Sequence, residues 1–102
     1  MDISELMQQA RHFQEKMAQI QEELATRTVT GTAGGGMVTV TVNGKGEVLG
    51  MSIEPEVINP DDPQMLQDLI TAAVNDGLRK AKELGQDEMS KLTGGMRIPG
   101  LF

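Results

Sequence analysis

Val38, Val40 and Val42 alternate with Met37, Thr39, Thr41 and Asn43, and the alternation resumes over 47–54 with Leu49, Met51 and Ile53 on one side. Strict period two in β-branched residues predicts two strands, each with one buried face. Asn43-Gly44-Lys45-Gly46 between them is rich in residues suited to a tight turn. With Gly44-Lys45 at the tip, Val40 lies opposite Leu49 and Val38 opposite Met51; with Asn43-Gly44 at the tip the pairing slips by two residues and keeps the same faces together. A slip of one residue would set the valines against the polar side, so parity is well specified even where register is not. The preceding stretch, 26–33, is Thr-rich with Val29 as its one strong apolar residue. It reads as a third, polar edge strand, joined to the hairpin through Gly34-Gly35-Gly36. A lone hairpin is marginal in water, so its apolar face needs a cover.

The flanks have helical periodicity. Ile3, Leu6, Ala10, Phe13, Met17, Ile20 and Leu24 are spaced in steps of 3 and 4, a heptad seam. The narrow stripe favours contact with another helix over lying flat on a sheet. At ~1.5 Å per residue the first helix outruns the hairpin, so part of it should project beyond its own sheet. Asp2 with Glu5 resembles a capping box. After the breaker-rich connector 54–63, Asp62 as N-cap and Pro63 at the first helical position open a second helix. Its broad apolar face, including Leu66, Leu69, Ile70, Ala73, Val74, Gly77, Leu78, Ala81 and Leu84, suits a sheet. Asp76 with Lys80 and Arg79 with Glu83 are spaced for i,i+4 pairs. Gly77 and Gly85 either permit close backbone approach or weaken the helix by about 1 kcal/mol each. Met89 and Leu92 extend the pattern past them. Gly94 and Gly95 stop the helix, and Met96, Ile98, Leu101 and Phe102 form an apolar tail, read equally as docking into a groove or as disorder.

These boundaries give one α+β domain over 1–102: helix 1–26, three-stranded antiparallel sheet 27–54, helix 62–92 and apolar tail 94–102. With two Phe and no Trp or Tyr, the core must be aliphatic and small, and oligomerisation is a natural supplement. The chain has no Cys, which suits a reducing cytosol. No apolar run approaches the ~20 residues of a membrane span, and the acidic start is unlike a signal peptide. We therefore expect a soluble cytoplasmic protein.

Little here suggests catalysis or a cofactor. His12 stands alone off the seam, the three serines lie in no nucleophile motif, and no metal-ligand spacing is present. The Gly triplet lacks a following Lys-Ser/Thr and does not open a helix, so a phosphate loop is disfavoured. Glu54, Glu56, Asp61 and Asp62 could be imagined around a metal, but the capping role of Asp62 is the stronger reading.

Taken together, GGGMVTVTVNGKGEVLGMSIEPEVINPDD, the helix LQDLITAAVNDGLRKAKE and the closing MSKLTGGMRIPGLF resemble the YbaB/EbfC family of bacterial nucleoid-associated proteins. The resemblance extends to the Gln-rich first helix, MQQARHFQEKMAQIQEEL, and spans essentially the whole chain. It implies an intertwined, tweezer-like homodimer that binds double-stranded DNA and influences nucleoid organisation and gene expression. It implies no enzymatic activity and no cofactor. Ile3, Leu6, Ala10, Phe13, Met17, Ile20, Val38, Val40, Leu49 and Met51 are the candidates for the dimer interface.

Charge complicates that expectation. The net charge is −6, so a dimer has no long-range attraction for DNA. The distribution is uneven, however. Residues 28–78 hold one basic and seven acidic groups, whereas 79–102 hold five basic and three acidic. Local contact to backbone phosphates would fall to Arg79, Lys80, Lys82, Lys91 and Arg97, with Arg11, Lys16 and Arg27 along helix 1. For each, a solvated or ion-paired charge is the plain structural alternative. A competing class is an acidic dimeric protein–protein interaction module without direct DNA binding, whose apolar tail would meet a protein partner.

Overall fold

A computed structural model describes residues 2–92 of the chain. The 94–102 tail and Arg97 lie outside the described residues. The order is α1 (Ile3–Thr26), β1 (Thr28–Ala33), β2 (Val38–Asn43), β3 (Val48–Ile53) and α2 (Pro63–Leu92). Short 3-10 turns at Gly34–Gly36 and Pro55–Val57 link β1 to β2 and β3 to α2. The sheet is antiparallel in the order β1-β2-β3. The chain is elongated, 69 Å along its longest axis.

Local chemistry sets the helix starts. Asp2 Oδ1 accepts the Glu5 backbone N–H at 2.9 Å, and Asp62 Oδ1 accepts that of Met65 at 3.2 Å. Each side chain satisfies a first-turn donor that no helical carbonyl reaches. α2 runs unbroken through Gly77 and Gly85 to Leu92. Both expected i,i+4 pairs form, Lys80–Asp76 at 3.0 Å and Arg79–Glu83 at 2.9 Å.

The core is the α2-facing side of the sheet. Val38, Val40 and Val42 are fully buried and cluster with Val57, Ala73 and Ala81. α2 packs chiefly over β1 and β2 rather than squarely over the hairpin. β1 permits this because Gly31 brings no side chain between strand and helix. β3 is therefore only partly covered: Ile53 packs on the core, while Val48, Leu49 and Met51 remain exposed.

The hairpin register differs from expectation. Val38 pairs with Ile53 and Val40 with Met51, two residues away from the predicted partners. The two-residue tip does not form. Asn43 N–H instead donates to Glu47 O at 2.9 Å, leaving Gly44-Lys45-Gly46 as a three-residue loop with Gly46 at φ 85°. Asn43 Oδ1 accepts the backbone N–H of both Lys45 and Glu47, each at 3.0 Å, which stabilises the longer loop. A bulge after Thr41 then sets Val42 opposite Val48. Parity over Val38, Val40, Met51 and Ile53 is as the alternation requires.

α1 is an arm. Leu24 is its one buried residue, and Met17 and Ile20 are half-buried. Ile3, Leu6, Ala10 and Phe13 are exposed. The last turns of α2 lie alongside α1, and a groove of about 800 Å³ opens between them. Phe13, Lys16 and Ile20 line one wall, with Glu88, Lys91 and Leu92 on the other.

Candidate nucleic-acid interface

The basic residues divide into those already held by carboxylates and those that are not. Arg79 donates to Asp76 at 2.8 Å and to Glu83 at 2.9 Å. Lys80 bonds Asp76 and also donates to the Thr30 carbonyl at 2.9 Å. Asp76 in turn accepts the Thr32 backbone N–H at 3.0 Å. The Lys80–Thr30 and Thr32–Asp76 bonds tie α2 to β1. The Thr32 N–H, then Lys80 and Arg79, lower the Asp76 pKa from 3.8 to about 2.

A second cluster forms at the root of the arm. Arg27 meets Glu88 at 2.6 Å and Lys91 meets the same carboxylate oxygen at 3.0 Å. Glu88 is almost completely buried, and its pKa is lowered by Lys91 and then Arg27. Beside it, Gly44 N–H lies at hydrogen-bonding distance from both Leu24 O, 2.8 Å, and Arg27 O, 2.9 Å. Buried Asn43 donates through Nδ2 to Ala25 O at 3.3 Å and to Glu47 Oε1 at 2.9 Å. The end of α1 is thus fixed by a strand end, a turn and α2 together.

Among the described residues Arg11, Lys16, Lys45 and Lys82 make no ion pair. Three of these are sequence candidates. Arg79, Lys80, Lys91 and Arg27, the other described candidates, are each already paired with a carboxylate, which offsets their charge towards a phosphate. Arg11 and Lys16 stand on the exposed arm, five positions apart and so about 140° around the helix. They flank the arm rather than forming one stripe. Lys45 is not among the sequence candidates, although it is the single cation of the acidic 28–78 segment and lies in its turn.

The structure also sorts the interface candidates. Val38 and Val40 are 0% exposed beneath their own α2 and have no surface to offer a second copy. That expectation is corrected: they belong to the single-chain core. Ile3, Leu6, Ala10 and Phe13 on the arm and Leu49 and Met51 on β3 are exposed, and Met17 and Ile20 half-exposed.

The sequence model of the YbaB/EbfC DNA-binding family matches residues 1–96. The chain belongs to that family. Among YbaB/EbfC relatives, a nucleoid-associated protein of Desulfotalea psychrophila is 62% identical over 101 residues, 99% of this chain and 95% of that protein. One from Syntrophobacter fumaroxidans is 58% identical, covering 93% of this chain and 86% of its own length. One from Chloroflexus aurantiacus is 51% identical over the full length of both. The fold is similar to the crystal structure of an uncharacterized Helicobacter pylori protein, with TM-score 0.83 and 28% identity, over 92% of this chain and 99% of that one. The YbaB/EbfC family is a DNA-binding one, and these relatives are named for the nucleoid rather than for a reaction. Among the described residues, no helix is long and apolar enough to cross a membrane.

Proposed function

We propose that this protein is a cytoplasmic, nucleoid-associated homodimer that binds duplex DNA largely through backbone phosphates and so influences nucleoid organisation and gene expression. The observation that carries the reading is the separation of charge. Ion pairs engage the α2 cations Arg79 and Lys80, while Arg11 and Lys16 stand unpaired on a projecting helix. In a chain of net charge −6, attraction for phosphates rests on such local cations rather than on the overall field.

Dimerisation is supported by two uncovered apolar regions. Ile3, Leu6 and Phe13 lie exposed along the arm's seam, and Leu49 and Met51 lie exposed on β3. A second copy that covers them would enlarge a small aliphatic core and protect an edge strand. The relatives named for the nucleoid favour DNA over the protein-interaction alternative.

The test is titration of a duplex with the full chain at several salt concentrations, beside Arg11→Ala/Lys16→Ala and Arg79→Ala/Lys80→Ala. We expect retardation at low salt and a modest salt slope, roughly 0.9 per phosphate neutralised. The arm variant should lose the larger part of that slope. Absence of retardation by the parent at low salt would overturn the reading.

A further inference from the structure

The unpaired cations that remain, Lys45 and Lys82, are 37 positions apart in sequence yet line one groove. The groove lies where three elements meet: Gln21 and Leu24 from the end of α1, Gly44 and Lys45 from the hairpin loop, and Lys82, Gly85 and Gln86 from α2. Its volume is about 280 Å³, just under the range of roughly 300–1,000 Å³ usual for a whole small-molecule ligand. That size suits one group of a larger ligand.

The acidic residues nearest each lysine in sequence are engaged elsewhere. The Glu47 carboxylate accepts from Asn43 Nδ2 at 2.9 Å, and Glu83 accepts from Arg79 at 2.9 Å. The support is also firm. The Lys45 backbone N–H is held by Asn43 Oδ1 at 3.0 Å, and Gly44 is bonded to the end of α1. A Cβ on Gly44 would lie 2.8 Å from Leu24 O, so the loop packs tightly against the helix end. The two ammonium groups and the side-chain amides of Gln21 and Gln86 supply donors to an anion, and none of the groove's lining residues is acidic.

We propose that Lys45 and Lys82 form a phosphate-contact point at the root of the arm, taking a backbone phosphate of duplex DNA. This rests on the duplex-binding reading above and adds a site that neither helix holds alone. The groove fixes where the DNA backbone passes the body of the protein, while Arg11 and Lys16 meet it along the arm.

The experiment compares the full chain with Lys45→Ala/Lys82→Ala and Lys45→Arg/Lys82→Arg, using fluorescence anisotropy of a labelled duplex between 50 and 200 mM salt. Both side chains are exposed, so thermal melting should match the parent. The alanine pair should weaken binding on the order of ten-fold at 50 mM salt and lower the salt slope by about 0.9 for each phosphate that is no longer neutralised. The arginine pair should keep the parent slope. Parent-like affinity and slope in the alanine pair overturn the site and leave the duplex reading standing. An equal loss in the arginine pair also overturns it, since charge is then not what matters. A parent that never binds the duplex overturns both.

Discussion

Gly31 of β1 and Gly77 of α2 cross with no side chain between them. A Cβ on Gly31 would fall 2.1 Å from the Ala73 carbonyl oxygen and 2.4 Å from the Gly77 nitrogen. Both obstacles are backbone, so neither can rotate away. Gly31→Ala should force α2 off the sheet and expose Val40 and Val42, at about 3 kcal/mol, the upper end of ordinary overpacking. Thermal melting should show a drop of more than about 10 °C for a domain of this size. An unchanged melting temperature would rule out so tight a crossing.

Gly85 answers oppositely. Its added Cβ would meet only Gly44 O, at 3.9 Å, an ordinary contact. Gly85→Ala should therefore stabilise α2 by about 0.5–1 kcal/mol through helix propensity and reduced unfolded-state entropy. Urea titration should place its midpoint above the parent's.

Asp76 makes stability pH-dependent. Its folded pKa is depressed, so its contribution is fully present above the unfolded value of about 4 and is lost as pH falls through about 2. Glu88 is lowered as well and acts in the same direction. Denaturant midpoints should fall between pH 4 and pH 2. Asp76→Asn should flatten that fall, because the neutral amide cannot be titrated there. A variant with the parent's full acid dependence would show that Asp76 contributes none of it.

Asn43 secures the base of the arm. Asn43→Ala removes the acceptor of the Lys45 and Glu47 amides and a donor to Ala25 O. With part of that loss made up by water, the cost should be about 2 kcal/mol. Hydrogen exchange should accelerate first at Gly44, whose amide holds the end of α1. Uniform acceleration through the sheet would instead indicate global destabilisation.

The β3 surface offers a test of assembly. Leu49→Lys with Met51→Lys places charge on an exposed apolar patch without touching the buried valines. Light scattering should fall from about twice 11.0 kDa towards 11.0 kDa while the far-ultraviolet spectrum is retained. A dimer that survives the double substitution must be held by the α1 seam instead.

Features that depend on near neighbours are legible in the residue pattern alone. Helix starts follow from Asp2 and Asp62, strand faces from the alternation of Val38, Val40 and Val42, and the Asp76–Lys80 and Arg79–Glu83 pairs from four-residue spacing. These forces act within a turn or a strand pair, so pattern suffices. The hairpin register escaped because the Asn43 side chain, not the glycines alone, selected the loop length. Gly77 and Gly85 look alike in sequence, and only the path of β1 separates them. Charge shows the same division. Arg27 is neutralised by Glu88, 61 positions away, and Lys80 is held in part by Thr30, 50 positions away. Lys45 and Lys82 line one groove because the loop docks where α1 ends. Whether a cation is free for a phosphate depends on which carboxylate the fold brings to it, and packing between distant segments sets that.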